Sequence, residues 1–372
     1  MRLLWVVLLL VHPLVFLGQR LEDTPVEVTI PFSPTPVHSR GKIHLLYELH
    51  LRNLRSPSAR LTSLQVSDPE GHPLVLLRDA DLISDIWRPG LSSDRDKRDL
   101  DGGMTGVLFV EVDFAPDRQL PRKLTNTVTF SVGGKDAAIH IGVPVRQAAA
   151  MVVSPPVRGK GWIALSGLSN TNAHRRTVVV VNGTATIAQR FATDWTRVAQ
   201  GGTAFQGDPS KNANWAAYGA EVLAVANATV TDVKDGIPEN DPTSDHKAVH
   251  IDLTTVAGNY IILRLRSGVY ALYAHLQPGT IHVRPGQSVR TGQVLALLGN
   301  SGQADAPHLH FHLMNRNSPL GSEGLPYELS RYYLEGDLPS KNILIQGGWH
   351  PSTAPIAIKN EEPAENQIVD LP

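Results

Sequence analysis

Short runs that alternate apolar and polar residues dominate the first part of the chain. Side chains of a strand point to opposite faces in turn, so such runs predict half-buried strands. The predicted strands are residues 26–30, 43–51, 61–66, 107–114, 127–132 and 138–145. Turn signals such as Gly133-Gly134 separate them. This density of short strands predicts an antiparallel β-sandwich of immunoglobulin type over residues 25–148.

The second part of the chain is also predicted to be mainly β. Residues 149–161 form a proline- and glycine-containing linker, and an Asn182-Gly183 pair between β-rich runs predicts a hairpin. Residues 218–233 and 285–299 share a rhythm of a glycine, a valine soon afterwards and a short apolar strand. This half-repeat suits a barrel-like hybrid built from two similar hairpins. We therefore predict a second domain at 162–335.

Lipoyl and biotinyl carrier domains show the same rhythm. They need a modifiable lysine at a hairpin tip, and residues 295–302 contain none. Residues 336–372 are predicted to be a partly disordered C-terminal extension, because the segment after Pro351 is rich in Pro, Ala, Glu and Asn with little periodicity.

The amino terminus predicts a targeting segment at residues 1–24. A positive start at Met1-Arg2 precedes apolar runs at 3–11 and 14–17, each too short to span a bilayer. We interpret this as a secretory signal peptide cleaved between Gly18 and Thr24. An uncleaved N-terminal anchor and a buried helix are the alternatives.

The amino-acid composition limits the possible partners and metal ligands of the protein. The chain has 372 residues, 42% of them apolar, which allows a large core and suggests two domains. A formal net charge of −1 gives no reason to expect nucleic acid as a partner. Cysteine is absent, so any metal must be held by His, Asp or Glu.

Three histidines at alternate positions are the strongest candidate for chemistry. On a strand His308, His310 and His312 would share one face, with Leu309 and Phe311 packed behind them. Adjacent histidines would lie about 6.6 Å apart, so that one can bind a metal while its neighbour handles substrate or water. His308 and His312 would be roughly 13 Å apart, too far to share one ion easily. The alternative is a solvated polar strand face.

The surrounding motifs supply a family resemblance. Tyr273-Ala274-His275 lies on a predicted strand, and a Gly299-Asn300-Ser301-Gly302 turn precedes His308-Leu309-His310. With these motifs, residues 160–330 resemble the lysostaphin-type (LytM-like) zinc metallopeptidases. The resemblance implies a LytM-like β-barrel hybrid with a duplicated hybrid motif and one Zn²⁺ per chain. It assigns Asp194 and His310 as metal ligands and His275 with His308 as the catalytic pair.

One departure from the family concerns the first metal ligand. Arg190 stands four residues before Asp194, where the family has a histidine, and a guanidinium has no lone pair for a metal. Gln189 would be a poor substitute. His174 is the leading replacement, and His246 or His250 are others. If Arg190 instead pairs with Asp194, the pocket should be closed and free of metal.

Four further residues are predicted to belong to the pocket. His312, where many relatives have an acidic residue, could orient a neighbouring ligand, but we favour a half-exposed strand residue. The four predicted pocket residues are Gln189, Arg190, Tyr273 and His312.

The resemblance predicts an exported zinc metalloendopeptidase that hydrolyses peptide bonds in peptidoglycan cross-links. The alternative is a catalytically degenerate homologue that binds cell-wall peptides or regulates a wall hydrolase. Either would be periplasmic, cell-surface or extracellular in a bacterium, with peptidoglycan or wall peptides as partner. Membrane contact is expected only through an uncleaved N-terminal segment.

Overall fold

The computed structural model describes residues 24–92, 94–199, 201–340 and 343–372. The predicted signal peptide or anchor therefore lies, apart from Thr24, outside the described residues. Within the described ranges, no helix has both the length and the apolar character needed to cross a membrane.

Two antiparallel sheets of five strands form the N-terminal part. One sheet has the order β1-β3-β8-β6 with β2 paired to β3, and the other β10-β9-β4-β5 with β7 paired to β4. A short helix, α1 (Asp79–Asp85), connects β5 to β6. The strands are β1 (Val26–Thr29), β2 (Val37–Ser39), β3 (Lys42–Asn53), β4 (Ala59–Ser67), β5 (Pro73–Arg78), β6 (Ile86–Trp87), β7 (Asp99–Leu100), β8 (Thr105–Phe114), β9 (Lys123–Val132) and β10 (Lys135–Pro144).

These two sheets share a single hydrophobic core and so form a sandwich. Tyr47 and Leu49 of β3 belong to the same buried cluster as Leu64 of β4 and Phe130 of β9. The alternation along β3 places Leu46 and Glu48 on the opposite, outer face. Each of the six predicted strands overlaps an observed strand, whereas the short strands β2, β5, β6 and β7 were missed. The immunoglobulin type stays a prediction.

An eleven-stranded sheet forms the centre of the C-terminal part. Its order is β20-β17-β18-β19-β22-β15-β12-β27-β25-β26, with β23 paired to β22. Three two-stranded sheets, β11-β24, β13-β14 and β16-β21, flank it, and among the described residues no sheet closes into a barrel. The mainly β prediction is confirmed.

The elements of this part also include a 3₁₀ turn and a short helix. In chain order they are β11 (Met151–Val153), β12 (Gly159–Leu165), β13 (Val179–Val181), β14 (Thr184–Thr186), β15 (Thr193–Arg197), the 3₁₀ turn Asn212–Asn214, β16 (Glu221–Leu223), β17 (Ala228–Lys234), β18 (Asn259–Arg266), β19 (Val269–Leu276), β20 (Ser288–Val289), β21 (Val294–Leu297), β22 (Leu309–Met314), β23 (Gly324–Leu325), β24 (Tyr327–Leu329), β25 (Tyr332–Asp337), α2 (Ile343–Gln346), β26 (Ile356–Ile358) and β27 (Gln367–Leu371).

The predicted hairpin and half-repeat both appear in the structure. Asn182 and Gly183 have φ of 51° and 77°, the two left-handed residues that a type I′ turn requires between β13 and β14. The two halves of the repeat pair with each other, through β16 with β21 and β17 with β20. The repeated segments therefore form adjoining parts of one structure.

The C-terminal extension corrects the prediction of partial disorder. β27 lies between β12 and β25 in the central sheet, and β26 pairs with β25. Ile368 of β27 is fully buried in one cluster with Ile163 of β12. The apolar residues of β27 thus complete the core. The Pro- and Glu-rich composition of the surrounding sequence is the reason why this strand was not predicted.

The outer face of the sandwich packs against the C-terminal part. Leu46 of β3 contributes to a buried cluster with Leu168 and Phe191. Phe109 of β8 contributes to another with Ile187. The segments around residues 168 and 187–191 are therefore held against the sandwich.

Candidate metal centre and catalytic site

Two neighbouring strands bring an aspartate and a histidine together. β15 pairs with β22 so that Asp194 lies directly opposite His310, and Nδ1 of His310 is 2.9 Å from Oδ1 of Asp194. Leu309 and Phe311 point into the hydrophobic core, as expected for residues that alternate with the histidines. The ladder itself fixes the separation of this pair.

His174 completes a group of three possible ligands from an irregular segment between β12 and β13. Its Nε2 is 3.3 Å from Oδ2 of Asp194, and its ring meets the His310 ring edge-on at 4.8 Å between centroids. The ligand-capable atoms of His174, Asp194 and His310 all lie within 4.8 Å of one another. His246 and His250 are exposed on another loop and do not join this group.

Arg190 corrects the prediction that it faces the metal site. Its Nη2 donates to Glu48 Oε2 at 2.9 Å and to Glu323 Oε2 at 2.6 Å, and its Nη1 donates to the Gly324 carbonyl at 3.2 Å. The guanidinium also lies over the Phe32 ring. The alternative in which Arg190 pairs with Asp194 is therefore wrong, since Asp194 faces imidazoles instead.

Of the other three predicted pocket residues, two line the cavity and one does not. Gln189 and His312 line the cavity. Tyr273 does not: it is buried in the core, where its hydroxyl accepts a hydrogen bond from the Val225 N–H at 3.0 Å. His312 is completely buried, so the half-exposed interpretation is wrong. Its Nδ1 lies 3.0 Å from Nε2 of His310, while its own Nε2 has no hydrogen-bond partner among the described residues.

His275 and His308 lie side by side, with ring centroids 4.8 Å apart. Nδ1 of His275 is 2.8 Å from the Ser301 carbonyl, and Nδ1 of His308 is 2.8 Å from the Ala306 carbonyl. Because a carbonyl oxygen only accepts, each Nδ1 carries the proton when the ring is neutral, and each Nε2 keeps a lone pair. Both residues line the same cavity as His174 and His310.

A tight backbone frame positions His275. This residue has a φ of 64°, which is unusual for a side chain of its size. Ser301 Oγ accepts from the Asn259 N–H and donates to the Leu276 carbonyl, both at 2.9 Å. A Cβ on Gly258 would lie 2.5 Å from the Ser301 carbonyl oxygen, so only glycine permits this approach. The Gly-Asn-Ser-Gly turn is thus part of the support for His275.

The charge balance of the group favours an ionised Asp194 carboxylate and a neutral His174 ring. Burial alone raises the pKa of Asp194, but His174, His308 and His310 outweigh it and hold that pKa below its usual range. Burial lowers the pKa of His174 to about 4, with His310 and His308 adding to the effect and Asp194 opposing it. At neutral pH the His174 ring therefore offers a lone pair.

A family comparison agrees with the motifs. Residues 213–321 match the model described as Peptidase family M23. The chain contains a peptidase family M23 domain. The matched range contains His275, His308 and His310, whereas His174 and Asp194 precede it.

Relatives of the M23 domain include two enzymes of Vibrio cholerae serotype O1. Peptidoglycan DD-endopeptidase ShyB is 38% identical over 78 residues, which are 21% of this chain and 18% of that protein. Peptidoglycan DD-endopeptidase ShyA is 38% identical over 66 residues, 18% of this chain and 15% of that protein. The similarity to this chain thus spans less than a fifth of either relative.

Among solved structures, the catalytic domain of lysostaphin from Staphylococcus simulans is similar to this chain. The two are 19% identical, and the alignment covers 45% of this chain and 88% of that one with a TM-score of 0.24.

The group of His174, Asp194 and His310 lines a cavity of about 810 Å³ together with His275, His308 and His312. Most of the other residues that line the cavity are apolar. Leu344 and Ile345, from α2, contribute to this apolar wall, so the C-terminal extension also shapes the cavity. None of the described residues that line it is a lysine or an arginine. Apolar residues elsewhere on the wall are Leu165, Trp215, Val256, Leu320 and Pro319.

Proposed function

We propose that this chain is an exported zinc metalloendopeptidase that hydrolyses peptide bonds in peptidoglycan cross-links. The observation that carries the proposal is the convergence of His174, Asp194 and His310 beside His275 and His308. The M23 domain and the printed activity of its Vibrio cholerae relatives support the choice of substrate. The proposal keeps a sandwich at residues 25–148 and a peptidase domain that begins at 162, and it extends that domain beyond the predicted end at 335 to include β27.

The three converging residues fit a catalytic zinc site. We propose that His174 through Nε2, Asp194 through its carboxylate and His310 through Nδ1 hold one Zn²⁺. Three protein ligands of N and O type, with one position left open, are the usual set for catalytic zinc. A zinc ion so held lowers the pKa of a bound water towards neutrality and polarises a carbonyl group.

His312 supports the ligand role of His310. To bind a metal through Nδ1, His310 must keep its proton on Nε2, which lies 3.0 Å from Nδ1 of His312. His312 is buried and burial lowers its pKa well below the ordinary value, so its ring is neutral and can accept that proton's hydrogen bond. Such a second contact fixes the tautomer and orientation of a histidine ligand.

His275 and His308 would transfer protons and stabilise charge. Backbone carbonyls hold the proton on Nδ1 of each ring and leave Nε2 able to exchange a proton. Nε2 of His308 lies 3.5 Å from Oδ1 of Asp194, so it is next to the proposed metal site. In the protonated state either ring can stabilise the negative charge that develops on the carbonyl oxygen. The absence of lysine and arginine from the described cavity wall suits a peptide better than a polyanion.

Arg190 was the reason to consider a degenerate homologue that binds wall peptides without cutting them. Because Arg190 pairs with Glu48 and Glu323 and not with the site, that reason is removed. We therefore propose the enzyme alone.

The test is zinc content followed by hydrolysis. The purified protein, dialysed against metal-free buffer and reloaded, should retain about one zinc per chain and should release fragments from purified peptidoglycan, identified by mass spectrometry. Asp194→Ala and His310→Ala should lose both properties. The control is His282→Ala, since His282 is exposed in the same domain and does not line the cavity. A protein that retains no zinc at micromolar supply would contradict the proposal.

A further inference from the structure

The three proposed ligands are held in different ways. Asp194 and His310 belong to paired strands of the central sheet. His174 belongs to a segment without regular structure, between Leu165 and Val179. No ladder sets its position, so other contacts must do so.

Those contacts come largely from the N-terminal sandwich. Arg175, the residue after His174, is fully buried and makes an ion pair with Glu48 of β3 through Nη1. Its Nη2 donates to the Tyr47 carbonyl at 3.0 Å, and its guanidinium lies 5.1 Å from the centre of the Phe109 ring. The side chain of Arg175 is therefore inserted into the outer face of the sandwich.

Neighbouring residues strengthen the same attachment. Nη2 of Arg176 donates to Oδ1 of Asp85, the last residue of α1, at 2.6 Å. Asn170 donates to the Phe109 carbonyl at 3.4 Å. The segment 170–176 is thus fixed to the sandwich at several points on either side of His174.

Glu48 is the centre of this attachment. Its carboxylate is fully buried and receives hydrogen bonds from Arg175 and from both Nε and Nη2 of Arg190. Two buried arginines and two carboxylates, Glu48 and Glu323, balance in charge. Removing one member would leave an uncompensated buried charge, which the structure can relieve most easily by releasing the irregular segment.

We propose that Glu48 is a positioning residue for the proposed metal ligand His174, acting through Arg175. The sandwich then supplies part of the metal site's geometry without touching the metal. This inference rests on the proposed function, because it takes His174 to be a zinc ligand.

The experiment is a double-mutant cycle on zinc affinity in the full chain, measured by competition with a chromophoric chelator. Glu48→Gln keeps the shape of the side chain and removes its charge, and it should weaken zinc binding at least about ten-fold. In a His174→Ala background, Glu48→Gln should cause no further loss. A purely structural role would give the same loss in both backgrounds.

The matched control is Tyr47→Phe. It removes a buried hydrogen bond of 2.7 Å to Asn126 on the inner face of the same strand and keeps the carbonyl that Arg175 contacts. Its zinc affinity should equal that of the unsubstituted protein. Amide hydrogen exchange should be faster at residues 170–177 in Glu48→Gln and unchanged there in Tyr47→Phe.

If Glu48→Gln does not fold, Arg175→Lys gives the same measurement with a smaller expected loss. It keeps the charge but not the planar set of donors that reaches both Glu48 and Tyr47.

The outcomes separate this inference from the proposed function. If the unsubstituted protein binds zinc through His174 and Glu48→Gln binds equally well, only the positioning role is overturned. If zinc affinity is undiminished in His174→Ala and lost in Asp194→Ala, the metal site stands and the positioning role is again overturned. A protein without zinc affinity overturns both.

Discussion

Two clusters of histidine and carboxylate in this protein have the same residue types and opposite chemistry. In the sandwich, His44 lies between Glu111 and Asp113, and in the C-terminal part, Asp194 lies between His174 and His310. Nδ1 of His44 is 2.8 Å from Glu111 and 2.9 Å from Asp113, and its Nε2 is 3.0 Å from the Ser39 carbonyl. Both nitrogens of His44 thus face acceptors and both carry protons.

The pKa values follow from these arrangements. Burial alone lowers the pKa of His44, but the hydrogen bonds to Asp113 and Glu111 outweigh it and raise that pKa to about 10. Burial lowers the pKa of His174 to about 4 because only one carboxylate opposes it and two other imidazoles reinforce it. In these two clusters the ratio of carboxylates to imidazoles therefore sets the charge of the histidine, so that at neutral pH His44 is a cation and His174 is neutral.

Removing His174 should have the largest effect. Structural zinc sites with four protein ligands bind zinc with about 10–16 kcal/mol, or about 2.5–4 kcal/mol per ligand. Loss of one ligand in His174→Ala should therefore lower zinc affinity by about two to three orders of magnitude. Chelator competition measures it. His44→Ala is the control and should bind zinc normally, and equal losses in the two variants would contradict the contrast between the clusters.

Removing the support of His310 should have a smaller effect on the same quantity. His312→Phe keeps a buried ring and removes the nitrogen that faces His310, so zinc affinity should fall about 10- to 100-fold. Isothermal titration with zinc and a competing chelator would detect it. An affinity equal to that of His282→Ala would show that His312 does not orient the ligand.

The sandwich cluster should contribute to folding and not to metal binding. His44→Gln leaves Glu111 and Asp113 close together without their shared cation, and the free energy of unfolding should fall by about 2 kcal/mol. Urea denaturation measures this loss, and zinc content should stay at the unsubstituted level. A variant with reduced zinc and normal stability would reverse the assignment of the two clusters.

The smallest expected effect is the pH dependence of the stability lost in His44→Gln. Because the folded protein raises the pKa of His44 from 6.5 to about 10, its proton stabilises the folded state fully below pH 6.5. The contribution then disappears as pH rises through about 10. The stability difference between the unsubstituted protein and His44→Gln should shrink over this window, whereas the difference for Val128→Ala, a core variant without a titratable group, should stay nearly constant.

The sequence predicted the parts of the site that local patterns encode. The alternation of His308, Leu309 and His310 predicted which side chains share a face, and the Asn182-Gly183 pair predicted a hairpin that the structure contains. Both depend on residues close together in the chain. The family motif also gave the place of Asp194 beside His310.

The features of the fold and site that the sequence did not predict depend on contacts between segments far apart in the chain. In the sequence, Glu48 looks like a polar residue on the solvent-exposed face of a strand. It is buried with Arg175 and Arg190 only because the sandwich packs on residues 170–190. The sequence alone places Arg190 near Asp194, because the two are only four residues apart and its partners are distant in the chain. The same limit applies to the extension, where β27 is stabilised by partners about 200 residues earlier in the chain, beyond any local periodicity.

The place of β27 in the central sheet has a consequence for the order of folding. β12 lies between β27 and β15, the strand that carries Asp194. A ribosome adds about 5–20 residues per second, so β27 is synthesised on the order of ten seconds or more after β12, the strand with which it pairs. During synthesis the exposed edge of β12 is free to pair wrongly, and the sheet that holds the proposed metal ligands is completed only when residues 367–371 arrive.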